Sequence, residues 1–283
     1  MSKITMDNMS VMSVCYTRYS LEYTMESIAG AGLKQFEFYA GSPHYTSFDY
    51  PDPKEKAARL DYIVKLLQKN NLKLSCLTAE NCIYPINIAA KEDELREISV
   101  QHYLDYVDDA VTLGSPALFM CSGFGYYNEP AEPAFQRSME SIKRICEKAE
   151  KKGICLFLEQ LAPDESNLVY DLKTLKKMID QVNSPALKIC VDTVAMEVQK
   201  ETIEEYYRIF PDKIAHVHMQ DGTPQGHLVA GEGNADFKKY LDTLRKYDFK
   251  GAITTEINND IYLRDPDAAL RKALAYLRPL LDD

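Results

Sequence analysis

The chain has 283 residues, with 33 Lys and Arg against 43 Asp and Glu, so its net charge is −10. With 46% hydrophobic residues and only 12 glycines, it is neither collagenous, low-complexity nor disordered, and a core of this size needs no disulfide staples. The acidic balance argues against a surface that binds nucleic acid or anionic membrane through basic patches, though it leaves room for a locally basic pocket.

The apolar runs and amphipathic segments alternate along the chain. Ser10–Tyr16 and Gln35–Tyr39 come first as short apolar runs. A Lys-rich helical segment, Lys54–Asn70, follows, with apolar positions Ala58, Leu60, Ile63, Leu66 and Leu67. Leu72–Thr78 is the third run, Glu92–Leu113 a long helical stretch and Ala117–Cys121 the fourth run. In Pro133–Lys152 the residues Phe135, Met139, Ile142, Ile145 and Ala149 recur every three or four positions. The alternation continues with strand Cys155–Glu159, helix Leu172–Val182, strand Leu187–Asp192 and helix Thr202–Ile209. Strand Ile214–Met219, helix Asp236–Tyr247, strand Ala252–Ile257 and helix Asp267–Leu281 complete it. Most runs are continuously apolar, as in strands buried on both faces of a parallel sheet. Eight units of about 35 residues, each the size of one crossover, predict an α/β fold: a (β/α)8 TIM barrel, one domain over 1–283. An open doubly wound sheet would carry a Gly-rich turn after its first strand; here the strand ends in Cys15-Tyr16-Thr17-Arg18.

Seven cysteines, without a C-x-x-C, read as reduced core thiols, with Cys15, Cys76, Cys121, Cys155 and Cys190 in apolar runs. No apolar run approaches the roughly 20 residues of a membrane span. Met1–Met9 does not read as a targeting peptide. A cytoplasmic location is the expectation.

In a barrel the chemistry sits at the carboxyl ends of the strands. Strand 5 ends in Glu159, strand 6 in Asp192, strand 7 in His218, and strand 8 leads into Glu256. Singly, each carboxylate has a bland reading as a helix N-cap or a solvated loop residue. His216 shares a face with His218 and reads as a hydrogen-bonded core histidine. Together, three converging acids repel and are costly to desolvate unless a cation joins them. An oxygen-rich set with one nitrogen suits Mn2+ first, with Co2+, Mg2+ and Zn2+ as alternatives.

At these residues the sequence resembles the xylose-isomerase-like sugar isomerases and epimerases, and among them the fructoselysine 3-epimerase and ketose 3-epimerase type. The resemblance is carried by Glu159 in LEQLAPDESN, Asp192 in CVDT, His218 in HVHMQD, Glu256 in TTEI, and HLVAGEGNADF after strand 7. GSPHY (Gly41–Tyr45) and ENCIYPIN (Glu80–Asn87) extend it into early loops. It implies a metal held by Glu159, Asp192, His218 and Glu256 that grips the carbonyl and adjacent hydroxyl of a ketose. Glu159 and Glu256 then act as the catalytic pair, one removing and one returning the C3 proton through an enediolate. Glu165 matches the family position that hydrogen-bonds substrate. Two positions depart from the free-ketohexose pattern. Ala195 replaces a His three residues after the Asp ligand, and Asp221-Gly222-Thr223-Pro224 lacks an Arg. Both point to a conjugated or modified sugar.

His227 is a candidate for part of the missing recognition, against a plain surface role. His44 in GSPHY is a candidate substrate contact. Tyr16, Tyr39, Tyr84, Tyr126 and Tyr127, near strand ends, either stack on substrate or pack the rim. Tyr16 and Tyr84 are carried forward as substrate contacts. Glu37, between Phe36 and Phe38, reads as a partner for another barrel residue or as a buried acid that needs one. The expected partner is a small sugar or sugar conjugate, with no nucleic acid and no membrane, and the resemblance implies a homo-oligomer. The same constellation also fits a lyase on a 3-oxo-glycoside, of the C-glycoside deglycosidase type with a partner subunit, or an inosose dehydratase. An abasic-site endonuclease, which wants more His than the five present, and a non-catalytic sugar-binding barrel stand behind these.

Overall fold

The structure is a computed structural model that describes residues 2–79, 86–223 and 226–282. Eight strands form one all-parallel sheet: β1 (Met9–Val11), β2 (Gln35–Ala40), β3 (Lys73–Ala79), β4 (Ala117–Met120), β5 (Cys155–Glu159), β6 (Leu187–Asp192), β7 (Ile214–His218) and β8 (Ala252–Thr255). Their spatial order is β1-β8-β7-β6-β5-β4-β3-β2. Beyond β1, Met12 makes an isolated parallel bridge to Glu37 of β2, and the amide of Tyr39 donates to Ser13 Oγ at 2.9 Å. The eight strands thus nearly close into the expected barrel.

The helices are α1 (Leu21–Gly30), α2 (Pro53–Lys69), α3 (Asp93–Thr112), α4 (Ala131–Lys152), α5 (Leu172–Val182), α6 (Thr193–Val198), α7 (Ile203–Ile209), α8 (Phe237–Lys246) and α9 (Pro266–Leu277). Side-chain caps start most of them, including Ser20, Asp52, Asp171, Thr202 and Asp265. In α4 the apolar stripe through Phe135, Met139, Ile142, Ile145 and Ala149 is buried against the sheet, and left-handed Gly153 ends the helix. A fully buried Ile or Leu on such a stripe contributes about 1.5–3 kcal/mol. The sequence reading did not outline α1 and α6; six-residue α6 is too short for a periodic signal.

Alternation along the strands decides what enters the barrel. In β5, Leu156 and Leu158 join the core beneath the helices, while Cys155 and Phe157 join the interior cluster with Phe119 and Cys190. In β7 the register slips: Ile189 pairs with Ile214, but Cys190 pairs with His216. Ala215 is therefore a bulge, which sets His216 and His218 on the inner face. Gly251 lies beside that bulge, where a Cβ would collide with the Ala215 carbonyl oxygen.

The first strand is shorter than expected. After Val11 and Met12 the chain turns into a 3-10 helix, Ser13–Tyr16, and Tyr16 leaves the sheet. Cys15, Cys76, Cys146 and Cys190 are buried free thiols, and Cys155 is a partly buried one. Among the described residues no helix is long and apolar enough to cross a membrane.

After β7, the wholly buried Asp221 gathers the following loop. Its carboxylate accepts from the amides of Gly222, Gly231 and Ala235, each at 2.9 Å, and its backbone pairs with Leu228. This cinch sets the position of His227. Asp221→Ala would take the acceptor from the buried Gly222 amide and from the more exposed Gly231 and Ala235 amides, and a buried N–H left unpaired costs about 1–3 kcal/mol. We expect a stability loss of about 1–3 kcal/mol in urea unfolding, with Asp221→Asn falling between the variant and wild type.

Candidate active site

A cavity of about 810 Å3 opens at the carboxyl end of the barrel. Glu159, Asp192 and Glu256 line it, with His218 wholly buried beneath them. One donor atom from each of these four residues lies within 4.8 Å of every other. His218 Nδ1 is 2.7 Å from Glu159 Oε1 and 3.1 Å from Glu256 Oε2, yet it makes a directed hydrogen bond to neither. Asp192 also fulfils the bland reading of its position: Oδ1 caps α6 by accepting from the Ala195 amide at 2.6 Å. Its Oδ2 accepts from Gln220 Nε2.

A second cluster, Cys190 with His216 and His218, lies deeper. The Nε2 atoms of both rings are already engaged by Glu37, and burial holds the Cys190 thiol far above its usual range. A buried neutral thiol is a poor metal ligand, so this group reads as packing.

The electrostatics follow from the crowding. Burial raises the Glu159 carboxyl well above its ordinary range, and Asp192 and Glu256 push it further, against the pull of His218. Burial also raises Asp192. Glu256 departs the other way, because His227 and His218 outweigh its burial. His218 is raised despite its burial by the acids around it, Glu37, Glu159 and Glu256. His227 is raised by Glu256, Asp192 and Glu165, also against burial; its Nε2 is 3.7 Å from Glu256 Oε2.

The sequence of the xylose isomerase-like TIM barrel family matches residues 25–280. The chain belongs to that family. Fructoselysine 3-epimerase of Shigella flexneri is 27% identical over 270 residues, 95% of this chain and 96% of the relative. L-ribulose 3-epimerase of Methylomonas sp. (strain DH-1) is 26% identical over 200 residues, 68% of this chain and 66% of the relative. In fold, this xylose isomerase-like barrel matches a D-psicose 3-epimerase structure with D-tagatose from Clostridium cellulolyticum H10. The TM-score is 0.80 at 17% identity, over 98% of this chain and 100% of that one.

Of the expected substrate contacts, the barrel brings Glu165 and His227 to the cavity, together with Tyr39 and Tyr127. Glu165 Oε2 accepts from the Ala162 amide at 2.9 Å. Two expectations need correction. Tyr16 is fully buried away from the cavity, its hydroxyl bonded to Ser27 at 3.0 Å and donating to Asp267 at 2.9 Å. The 3-10 turn carries it under α1. His44 is also buried, its Nε2 2.9 Å from the Tyr19 carbonyl oxygen, so it braces loops rather than facing sugar. Tyr126 turns outward to donate to Glu92 at 2.8 Å. Tyr84 lies outside the described residues.

Sequence reasoning missed Met12, Phe119, Phe124, Gln160, Asp164 and Asn258 as lining residues, and Gln220 as the partner of Asp192. Gln160 and Gln220 each lie within two residues of a strand-end candidate, and that adjacency was the available signal.

The raised Glu159 yields a prediction for protein stripped with EDTA. A carboxyl raised in the folded state is held more tightly there than in the unfolded chain. The cost to stability therefore grows as pH rises above the unfolded value of 4.5. Glu159→Gln removes it. The variant should be more stable than wild type at pH 7 by about 1 kcal/mol or more, and denaturant titrations should show that advantage shrinking toward pH 4.5.

Proposed function

We propose that the chain is a divalent-metal-dependent epimerase acting at C3 of a ketose or ketose conjugate, with Glu159 and Glu256 as its proton-transfer pair. The observation that carries this reading is the convergence of Glu159, Asp192, His218 and Glu256 on one point beneath a cavity. The 3-epimerase activities of the two relatives support the reaction class.

The donor set fits a cation. Two buried carboxylates and the partly buried Glu256 face one another, and His218 Nδ1 has no hydrogen-bond partner. Three oxygens and one nitrogen match Mn2+, with Co2+ and Mg2+ next. A bound divalent ion would supply positive charge beside the two vicinal oxygens of an α-hydroxyketone and so acidify the C–H of the hydroxyl-bearing carbon next to the carbonyl.

The remaining chemistry belongs to the chain. Glu159 and Glu256 come from strands β5 and β8 and approach the same point from different sides. A carbon placed between them loses its proton to one carboxylate and regains one from the other, which inverts the centre. Glu165 keeps Oε1 for a substrate hydroxyl, and His227 sits beside Glu256. Met12, Phe119 and Phe124 wall the cavity with apolar surface.

The lining also speaks to the substrate. Among the described lining residues are Glu159, Asp164, Glu165, Asp192 and Glu256, with His227 as the one basic side chain and no Lys or Arg. Residues 80–85 and 224–225 contain no Lys or Arg either. Such a field disfavours phosphorylated sugars and favours a ketose bearing an amine. The volume of about 810 Å3 lies within the range of sites for drug-sized ligands, more than a free hexose needs. Ala195 lines the cavity, so the position where free-ketohexose enzymes carry a His adds space here.

Incubation with Mn2+ or Co2+ in D2O should incorporate deuterium at C3 and invert that centre in an amine-conjugated ketose such as fructoselysine. EDTA should abolish exchange and Mn2+ restore it. Glu159→Gln and Glu256→Gln should each lower kcat by about 10²–10⁴-fold. No exchange with any ketose or conjugate sinks the reading. Asp164→Asn should raise KM for the amine conjugate by about 3–5-fold, the scale of one exposed ion pair, and leave KM for a neutral ketose unchanged.

A further inference from the structure

Glu37 lies in β2, wholly buried and outside the cavity lining. Its carboxylate is nevertheless the most heavily engaged in the barrel interior. Oε1 accepts from Thr78 Oγ1. Oε2 is 2.7 Å from His216 Nε2, and His218 Nε2 reaches Oε2 at 3.1 Å and Oε1 at 3.2 Å. An ionised carboxylate only accepts, so both rings carry their proton on Nε2 toward Glu37. For His218 this leaves Nδ1 on the opposite side, toward Glu159 and Glu256, as the nitrogen whose lone pair a cation would take in place of a proton. Ring stacking fixes the planes: Phe119 lies 5.1 Å from His218 at 24°, and Phe157 lies 5.2 Å from His216 at 20°.

We propose that Glu37 is the positioning residue of the metal site: by holding His218 in the Nε2–H form, it presents Nδ1 as the nitrogen ligand. The proposal rests on the metal half of the preceding reading and not on the sugar. Glu37 touches neither the cavity nor the four converging donor atoms except through His218. Its effect is therefore on metal affinity and ring geometry, as expected of a carboxylate behind a ligating imidazole.

The test uses Co2+ as the probe. Wild type should bind Co2+ with a visible absorption band, and its Tm should rise on binding. Glu37→Gln should weaken Co2+ by about 10–100-fold and shrink the metal-induced rise, measured from the variant's own metal-free Tm, which the loss of a buried paired carboxylate lowers. In the Zn2+-loaded protein, 15N spectra of the histidine rings should show His218 as one Nε2–H tautomer in wild type and lose that signature in the variant. Should Glu37→Gln not fold, Thr78→Val removes one donor to the same carboxylate and should weaken Co2+ by about 3-fold or more. Unchanged Co2+ affinity and an unchanged tautomer in a folded variant overturn the proposal, as does a wild type that takes up no Co2+. A wild type that binds Co2+ in a Glu37-dependent way but epimerises nothing supports Glu37 and sinks the sugar reading instead.

Discussion

One imidazole stands between buried acids of the barrel, and the site is built around that contact. His218 meets Glu37 with Nε2 and faces Glu159 and Glu256 with Nδ1, while Asp192 converges from the neighbouring strand. Four carboxylates in one interior would repel strongly if left alone. The fold divides them into two kinds. Glu37 and Asp192 have their oxygens occupied by directed donors from Thr78, His216, His218, Ala195 and Gln220. The donors beside Glu159 and Glu256 are His218, His227 and the Cys190 thiol. Acids whose lone pairs are taken hold still; acids left open toward a cavity are the ones available for proton transfer.

The strand ends that matter were readable because parallel strands buried on both faces leave little polar sequence to choose from. Once eight such runs were counted, the residues closing the fifth to the eighth fell on one rim. Glu37 was readable as a buried acid in want of a partner. The partners themselves were not, since they lie 179 and 181 positions away. The first strand misled because Ser13–Tyr16 is as apolar as a strand, yet a 3-10 turn satisfies its backbone and sends Tyr16 to Ser27 and Asp267. His44 misled for a related reason. A short polar loop after a strand does not say whether its histidine points into the barrel or, as here, back to the Tyr19 carbonyl. The bulge at Ala215 has no composition signal, although the glycine at 251 that makes room for it is in plain sight.

The linkage between β6 and β7 explains how Asp192 and the loop bearing His227 keep their places. Thr193 Oγ1 donates to the Gln220 carbonyl at 3.0 Å and accepts from the Gln220 amide at 3.2 Å. Gln220 Nε2 then returns to Asp192. One residue further on, Asp221 gathers the loop by its backbone amides. Adjacent residues thus perform opposite tasks, Gln220 holding Asp192 and Asp221 the loop that bears His227.

The bridge between Met12 and Glu37 has a kinetic meaning. It lies where the first and second strands meet, and the same Glu37 reaches across the interior to His218, 181 residues away in the chain. Contacts of such separation form late, because the entropy of closing the long intervening loop must be met before they reward the chain. The bridge between the first two strands and the contact that sets His218 thus share one residue, Glu37. A nascent chain that lacks its last two strands holds only two of the four converging side chains, Glu159 and Asp192. Their convergence thus reports on completion of the fold itself.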